Sequence, residues 1–87
     1  MKTWFLYILK CADGTLYTGI TNDLEKRFLM HTKGKASKYT RGRRPLKIVF
    51  TEEVQDVSSA LKREIQMKKL SKRSKEELIN EFQKRFR

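Results

Sequence analysis

The chain is poor in the residues that lock small folds covalently or bend them sharply: one cysteine, one proline and four glycines in 87 residues. A lone Cys11 excludes an internal disulfide, and it has no companions at zinc-ligand spacing. No apolar run approaches the ~20 residues needed to cross a bilayer. The opening Trp4-Phe5-Leu6-Tyr7-Ile8-Leu9 reads as a strand, too short for an export segment. These absences predict a reduced, cytoplasmic protein with no membrane role. A chain this short buries only ~60% of its unfolded surface, and 38% hydrophobic residues are enough for one core and too few for two. One domain over residues 1–87 is expected.

Negative charge is also scarce. Twenty-one Lys and Arg face ten Asp and Glu, a net charge of +11. Self-repulsion on that scale weakens a small fold, so an acidic partner is implied. The excess is uneven: residues 1–50 hold 11 basic and 3 acidic side chains, residues 51–87 hold 10 and 7. Between Lys33 and Lys47 stand Lys33, Lys35, Lys38, Arg41, Arg43, Arg44 and Lys47 with no acidic residue. Tyr39, Gly34, Gly42 and Pro45 interrupt them. The pattern describes a basic loop suited to a phosphate backbone, with Lys38, Tyr39, Arg41, Arg43 and Arg44 as candidate nucleic-acid contacts.

Thr3 to Lys10 is strand-like, Ala12-Asp13-Gly14-Thr15 is a turn signal, and Thr15 to Ile20 returns as a second strand. Asn22 with Glu25 three residues on suggests a capping box for a helix running to about Lys33. A third strand is expected over Lys47 to Glu52, with Ile48 and Phe50 on one face and Val49 on the other. A second helix follows from a cap at Asp56 through Leu70. A capping box at Ser74 and Glu77 opens a third, with an apolar stripe of Leu78, Ile79, Phe82 and Phe86. The order β-β-α-β-α-α predicts an α+β fold, a small, mostly antiparallel three-stranded sheet packed with three helices.

Two helices place ionisable residues where apolar ones belong. With Val57 at zero and about 100° per residue, Ala60, Leu61, Ile65 and Met67 spread from about −80° to +80°, and Glu64 falls near −20°. A buried carboxylate costs several kcal/mol unless compensated. Either Glu64 sits at the edge of the arc, or it pairs with Lys68 or an arginine, or it serves as a metal-ligating or catalytic carboxylate. In the first helix, with Leu24 at zero, Arg27 lies near −60° and His31 near −20°. Such a set matches what phosphodiester hydrolysis needs: an activated water, a countercharge and a stabilised leaving alkoxide. A single carboxylate completed by water and phosphate oxygens suits Mg²⁺, Arg27 offers a two-pronged phosphate contact, and a tyrosine or His31 is available for the proton.

The residues Phe5-Leu6-Tyr7, Tyr17-Thr18-Gly19, Arg27, the run Lys38 to Lys47 and Ala60-Leu61-Lys62-Arg63-Glu64, in that order, resemble the GIY-YIG nuclease superfamily. Within it they resemble the short bacterial single-domain proteins labelled UPF0213. The resemblance covers roughly residues 3–80, with Phe5-Leu6-Tyr7 retaining only the tyrosine of the first signature. It implies a metal-dependent endonuclease using Mg²⁺ or Mn²⁺ on DNA more than RNA, at damaged or branched forms as in repair members. By resemblance Tyr7 is a general base or water-positioning phenol, Tyr17 orients phosphate or supports the base, Arg27 stabilises the transition state, His31 assists proton transfer and Glu64 binds the metal. No second domain fits after residue 80, so specificity would come from the fold's own loops or from a protein partner.

A strict two-residue turn at Asp13-Gly14 would put Tyr7 opposite Ile20 and send Tyr7 and Tyr17 to opposite faces of the sheet. A shared site therefore predicts a three- or five-residue connection. The alternative functions are a non-catalytic nucleic-acid-binding module on the same fold, or a basic protein bound to ribosomes or RNA. Dependence on divalent metal separates them, because phosphate binding alone is weakened by competing cations.

Overall fold

The structure, a computed structural model, describes residues 3–85. Strands β1 (Trp4–Cys11), β2 (Leu16–Thr21) and β3 (Leu46–Val54) form an antiparallel sheet in the order β2-β1-β3. Helix α1 (Leu24–Thr32) and a one-turn helix α2 (Lys38–Arg41) lie between β2 and β3, and α3 (Val57–Lys69) and α4 (Lys72–Arg85) follow. The α+β architecture and the order of its main elements agree with the sequence reading. The single turn α2 is an addition inside the expected basic loop.

The turn between β1 and β2 fixes the site. The Cys11 amide donates to the Thr15 carbonyl at 2.9 Å, the Gly14 amide to the Cys11 carbonyl at 3.0 Å, and Gly14 takes φ +84°. Asp13 Oδ1 accepts from both the amide and the hydroxyl of Thr15. The result is the odd, three-residue connection of Ala12, Asp13 and Gly14. Tyr7 pairs with Gly19 rather than Ile20, and Leu9 with Tyr17, so the two tyrosines share a face.

Leu6 and Ile8 point the other way, into a core with Val49, Phe50, Met67 and Ile79, flanked by Leu16, Ile20, Leu70, Leu78 and Phe82. Fully burying such side chains contributes roughly 1.5–3 kcal/mol each. The expected alternation in β3 fails because a register shift between Ile8 and Leu9 inserts Val49 as an extra residue, and Val49 and Phe50 are both buried.

Three helix details depart from expectation. Asp23, not Asn22, caps α1, its side chain accepting from the Lys26 amide. Helix α4 starts one turn earlier than Ser74: Ser71 Oγ accepts from the Ser74 amide at 3.1 Å. On α3, capped by Asp56 as expected, the buried side chains are Ala60 and Met67. Val57, Leu61 and Ile65 are 43 to 55% exposed. The buried arc is therefore rotated towards Ala60 and Met67, which moves Glu64 from its centre to its edge. Of the stripe expected on α4, Leu78, Ile79 and Phe82 face the core, while Phe86 lies outside the described residues.

Candidate active site

Tyr7 rises from the middle of the central strand and is 3% exposed. Across from it, α1 delivers His31, 1% exposed, with Nε2 only 2.8 Å from Tyr7 Oη. The other imidazole nitrogen, Nδ1, lies 2.9 Å from Thr40 Oγ1. Thr40 is itself fully buried on α2, and its hydroxyl donates to the Ser37 carbonyl at 3.3 Å. Tyr17 closes the group: its ring centroid is 6.5 Å from that of Tyr7 and 5.3 Å from the imidazole. Tyr39 extends the aromatic row outwards, 5.8 Å from Tyr17.

Room for this arrangement depends on Gly19. A Cβ there would meet Tyr7 Oη at 2.5 Å and Cζ at 2.6 Å, so the phenol lies over a backbone that carries no side chain. Two residues with no role from their spacing thus belong to the site. Gly19 was visible only as part of a signature. Thr40 was hidden because its burial depends on the single turn of α2.

The charged candidates sit at the rim. Arg27 is exposed rather than turned into the apolar face as the wheel predicted, because α1 presents His31 alone on its buried side. Glu64 keeps 20% of its side chain exposed, and Lys68 Nζ lies 3.4 Å from Oε2, one of the pairings weighed from the sequence. Both charges reach Tyr7. Burial, then Tyr17, pushes the phenol well above its ordinary value; Arg27 opposes the rise and Glu64 adds to it. His31 is held below its ordinary value, first by burial and then by Arg27. At neutral pH the pair is a neutral phenol against a neutral imidazole.

Among the described residues, no three His, Cys, Asp or Glu side chains stand together as a ready-made metal cage. A cation here would rely on Glu64, with water and phosphate oxygens completing its shell. That all-oxygen, water-rich donor set is one Mg²⁺ tolerates.

The basic segment is more structured than its composition suggests. Arg43 spends Nε on Asp13 at 3.1 Å and Nη1 on the Tyr39 carbonyl at 2.7 Å, with its guanidinium 4.0 Å over the Tyr39 ring. Arg44 donates to the carbonyls of Arg41 and Thr32. These two arginines pin the segment to the hairpin and to α1. Lys38 and Arg41 are exposed, and Tyr39 is 38% exposed beside a small cleft shared with Thr15, Leu16, Lys72 and Lys75.

Residues 3–77 match the GIY-YIG catalytic domain. The chain belongs to the GIY-YIG family. Its relatives include the UPF0213 protein YhbQ of Escherichia coli K12, 48% identical over 81 residues, 93% of this chain and 81% of the relative. Another is the UPF0213 protein SSP2268 of Staphylococcus saprophyticus, 46% identical over 93% of this chain and 99% of the relative. Among solved structures, the UPF0213 protein BH0048 of Bacillus halodurans superposes with TM-score 0.58 at 42% identity, covering 90% of this chain and 83% of that one. The protein EF2693 of Enterococcus faecalis gives 0.65 at 35% identity, covering 95% and 88%. Tyr7, Tyr17, Arg27, His31 and Glu64 all fall within the GIY-YIG match. No helix of the described residues is long and apolar enough to cross a membrane.

Proposed function

We propose that this GIY-YIG protein is a divalent-metal-dependent endonuclease acting on DNA, with damaged or branched forms as its substrates by analogy with repair members. The observation that carries the proposal is the buried Tyr7–His31 pair, 2.8 Å apart, flanked by Tyr17 and bordered by charges of opposite sign at Arg27 and Glu64. A protein that only bound phosphate would gain nothing from a desolvated phenol–imidazole pair beside a carboxylate.

In this reading Tyr7 does not rest as a phenolate, since its burial opposes ionisation. A water at the mouth of the site passes its proton to Tyr7 Oη while the phenolic proton passes to His31 Nε2. Neutral His31 is ready to receive it. The hydroxide formed attacks phosphorus and the ester oxygen leaves. Arg27, exposed at the rim, spans phosphoryl oxygens, and Tyr17 orients the phosphate. A divalent cation, Mg²⁺ or Mn²⁺, held through Glu64 would neutralise charge on the phosphoryl and leaving oxygens. Lys68 would give up the Glu64 carboxylate to such a cation, an exchange made cheap by its exposure. Lys38, Arg41 and the Tyr39 cleft with Lys72 and Lys75 contact the strand, positioning it without reading sequence.

The test is cleavage of labelled single-stranded, duplex, flapped and branched DNAs by wild type and Glu64→Ala, with Mg²⁺, with Mn²⁺ and with chelator. Metal-dependent cutting lost in Glu64→Ala, with DNA binding retained, supports the nuclease. No cutting of any substrate, or equal cutting by both proteins, leaves a nucleic-acid-binding module with Glu64 as the ion-pair partner of Lys68.

A further inference from the structure

The three hydrogens of the Tyr7, His31 and Thr40 group can be placed by counting. Thr40 is fully buried, and its single hydroxyl hydrogen has two acceptors in reach, the Ser37 carbonyl and His31 Nδ1. If it went to Nδ1, the imidazole would carry its hydrogen on Nε2, pointing at Tyr7 Oη. The Tyr7 hydrogen would then need another acceptor, and among the described residues its hydroxyl has no partner but His31. Before the attacking water enters, that arrangement leaves the Tyr7 hydroxyl, 3% exposed, without an acceptor, at a cost of about 1–3 kcal/mol. With the Thr40 hydrogen on the Ser37 carbonyl, every donor is satisfied: Tyr7 donates to Nε2, Nδ1 donates to Thr40 Oγ1, and Thr40 donates to the backbone.

We infer that Thr40 is a positioning residue that accepts from Nδ1–H and, together with the Tyr7 hydroxyl on Nε2, holds His31 as the Nδ1–H tautomer with Nε2 as the acceptor for the Tyr7 proton. It acts through His31 and touches neither substrate nor metal. Its placement also ties the site to the basic segment. Ser37, whose side chain caps α2 by accepting from the Tyr39 amide, supplies the carbonyl that ends the chain of hydrogen bonds, and Tyr39 and Arg41 belong to the same turn. The same short helix that carries candidate strand contacts therefore sets the orientation of the imidazole. The inference extends the proposed proton route, but the tautomer exists whether or not the protein cuts DNA.

His31 is the only histidine, so a long-range nitrogen–proton NMR spectrum of the labelled full chain shows a single imidazole. The expected wild-type result at pH 7.5 is a protonated, pyrrole-type Nδ1 and an unprotonated Nε2. Thr40→Val, equal in shape but without the acceptor oxygen, leaves Nδ1–H unpaired, so the Nδ1 signal should lose its hydrogen-bonded shift and the ring should sample both tautomers. It should also lower the cleavage rate by about 10- to 100-fold, taking as scale the loss when the hydrogen-bond partner of a metal-ligating histidine is removed, with substrate affinity within about twofold. Thr40→Ser, which keeps the hydroxyl, should restore both the wild-type tautomer and the rate. A wild-type spectrum with the proton on Nε2 overturns the inference without any variant. So does a folded Thr40→Val protein with an unshifted imidazole. A protein with the expected tautomer and no cleavage activity would sink the nuclease proposal and leave the positioning role of Thr40 standing.

Discussion

Gly19→Ala tests the packing of the site. The added Cβ would stand 2.5 Å from Tyr7 Oη and 2.6 Å from Cζ, whereas ordinary contact begins at 3.4 Å. The phenol must therefore move by about 0.9 Å. Moving away from His31, it stretches a 2.8 Å hydrogen bond past the ~3.5 Å at which such a bond is lost. Moving towards His31, it drives into an imidazole that is 1% exposed and already held by Thr40. Overpacking costs about 1–3 kcal/mol, and unpairing a buried hydroxyl costs a similar amount. By either route a loss of about 2 kcal/mol corresponds to a fall in Tm of at least about 8 °C for a domain of this size. Misplacing a reacting group by ~1 Å costs about 100-fold in rate, so the single-turnover rate should fall by that order while DNA affinity stays near wild type. Calorimetry and single-turnover cleavage read the two effects separately. A Gly19→Ala protein melting within ~3 °C of wild type, a difference below ~1 kcal/mol, would show that Tyr7 is not held as the structure has it.

Other perturbations separate the parts. Tyr7→Phe keeps the ring and removes the proton donor, so cleavage should fall by ~10²–10⁴-fold, the usual contribution of a positioned acid or base, with affinity unchanged in a filter-binding assay. Because burial and Arg27 hold His31 below its ordinary value near 6.5, the unfolded chain takes up that proton first as pH falls. The contribution of His31 to stability is complete above about pH 6.5 and declines as pH drops through that value. Urea midpoints at pH 7.5 and 5.5 should show the decline in wild type, and His31→Gln should flatten it. Thr18 Oγ1 is buried without a partner among the described residues, so Thr18→Val should raise stability by about 1 kcal/mol in urea titration. Reversing the cleft lysines in Lys72→Glu/Lys75→Glu should weaken DNA binding across all sequences. The slope of log affinity against log salt should fall by at least ~1.4 for a single strand, since each lost phosphate contact removes ~0.7.

Much of the fold was legible because the signals were local. The Gly14 turn, the Asp56 cap and the apolar, aromatic run of β1 each depend on a few neighbouring residues, and the requirement that Tyr7 and Tyr17 share a face was enough to demand an odd turn. The misreadings arose where two local solutions competed. Asn22 and Asp23 both suit a cap, and Asp23 prevails with its amide held by the Thr21 hydroxyl at 3.0 Å. On α3 two adjacent rows are apolar at helical spacing, one through Val57, Leu61 and Ile65, the other through Ala60 and Met67. Periodicity cannot say which row meets the sheet. Tertiary packing chose the second, and with that rotation Glu64 went from the centre of the buried arc to its edge. Thr40 could not be found from spacing, because its burial is created by the fold of the segment around it.

The rotation of α3 also brings the polar groups into line with the cost of desolvation. Within the site, the polar groups taken out of water are Tyr7, His31 and Thr40, which stay neutral and are hydrogen-bonded in a chain. The groups that keep a charge, Arg27 and Glu64, remain where water still reaches them. Had the wheel been right and Glu64 been central, it would have needed a buried cation to offset several kcal/mol, and the protein without a metal would have been correspondingly strained. At the rim Glu64 is satisfied by an exposed lysine and can exchange that partner for another cation at little cost. Such a site can stand folded without its metal and still take one up together with a phosphate. It follows that chelator should leave the Tm nearly unchanged even where it abolishes cleavage. A large chelator-induced drop in Tm would instead mean that a metal is a structural part of this fold.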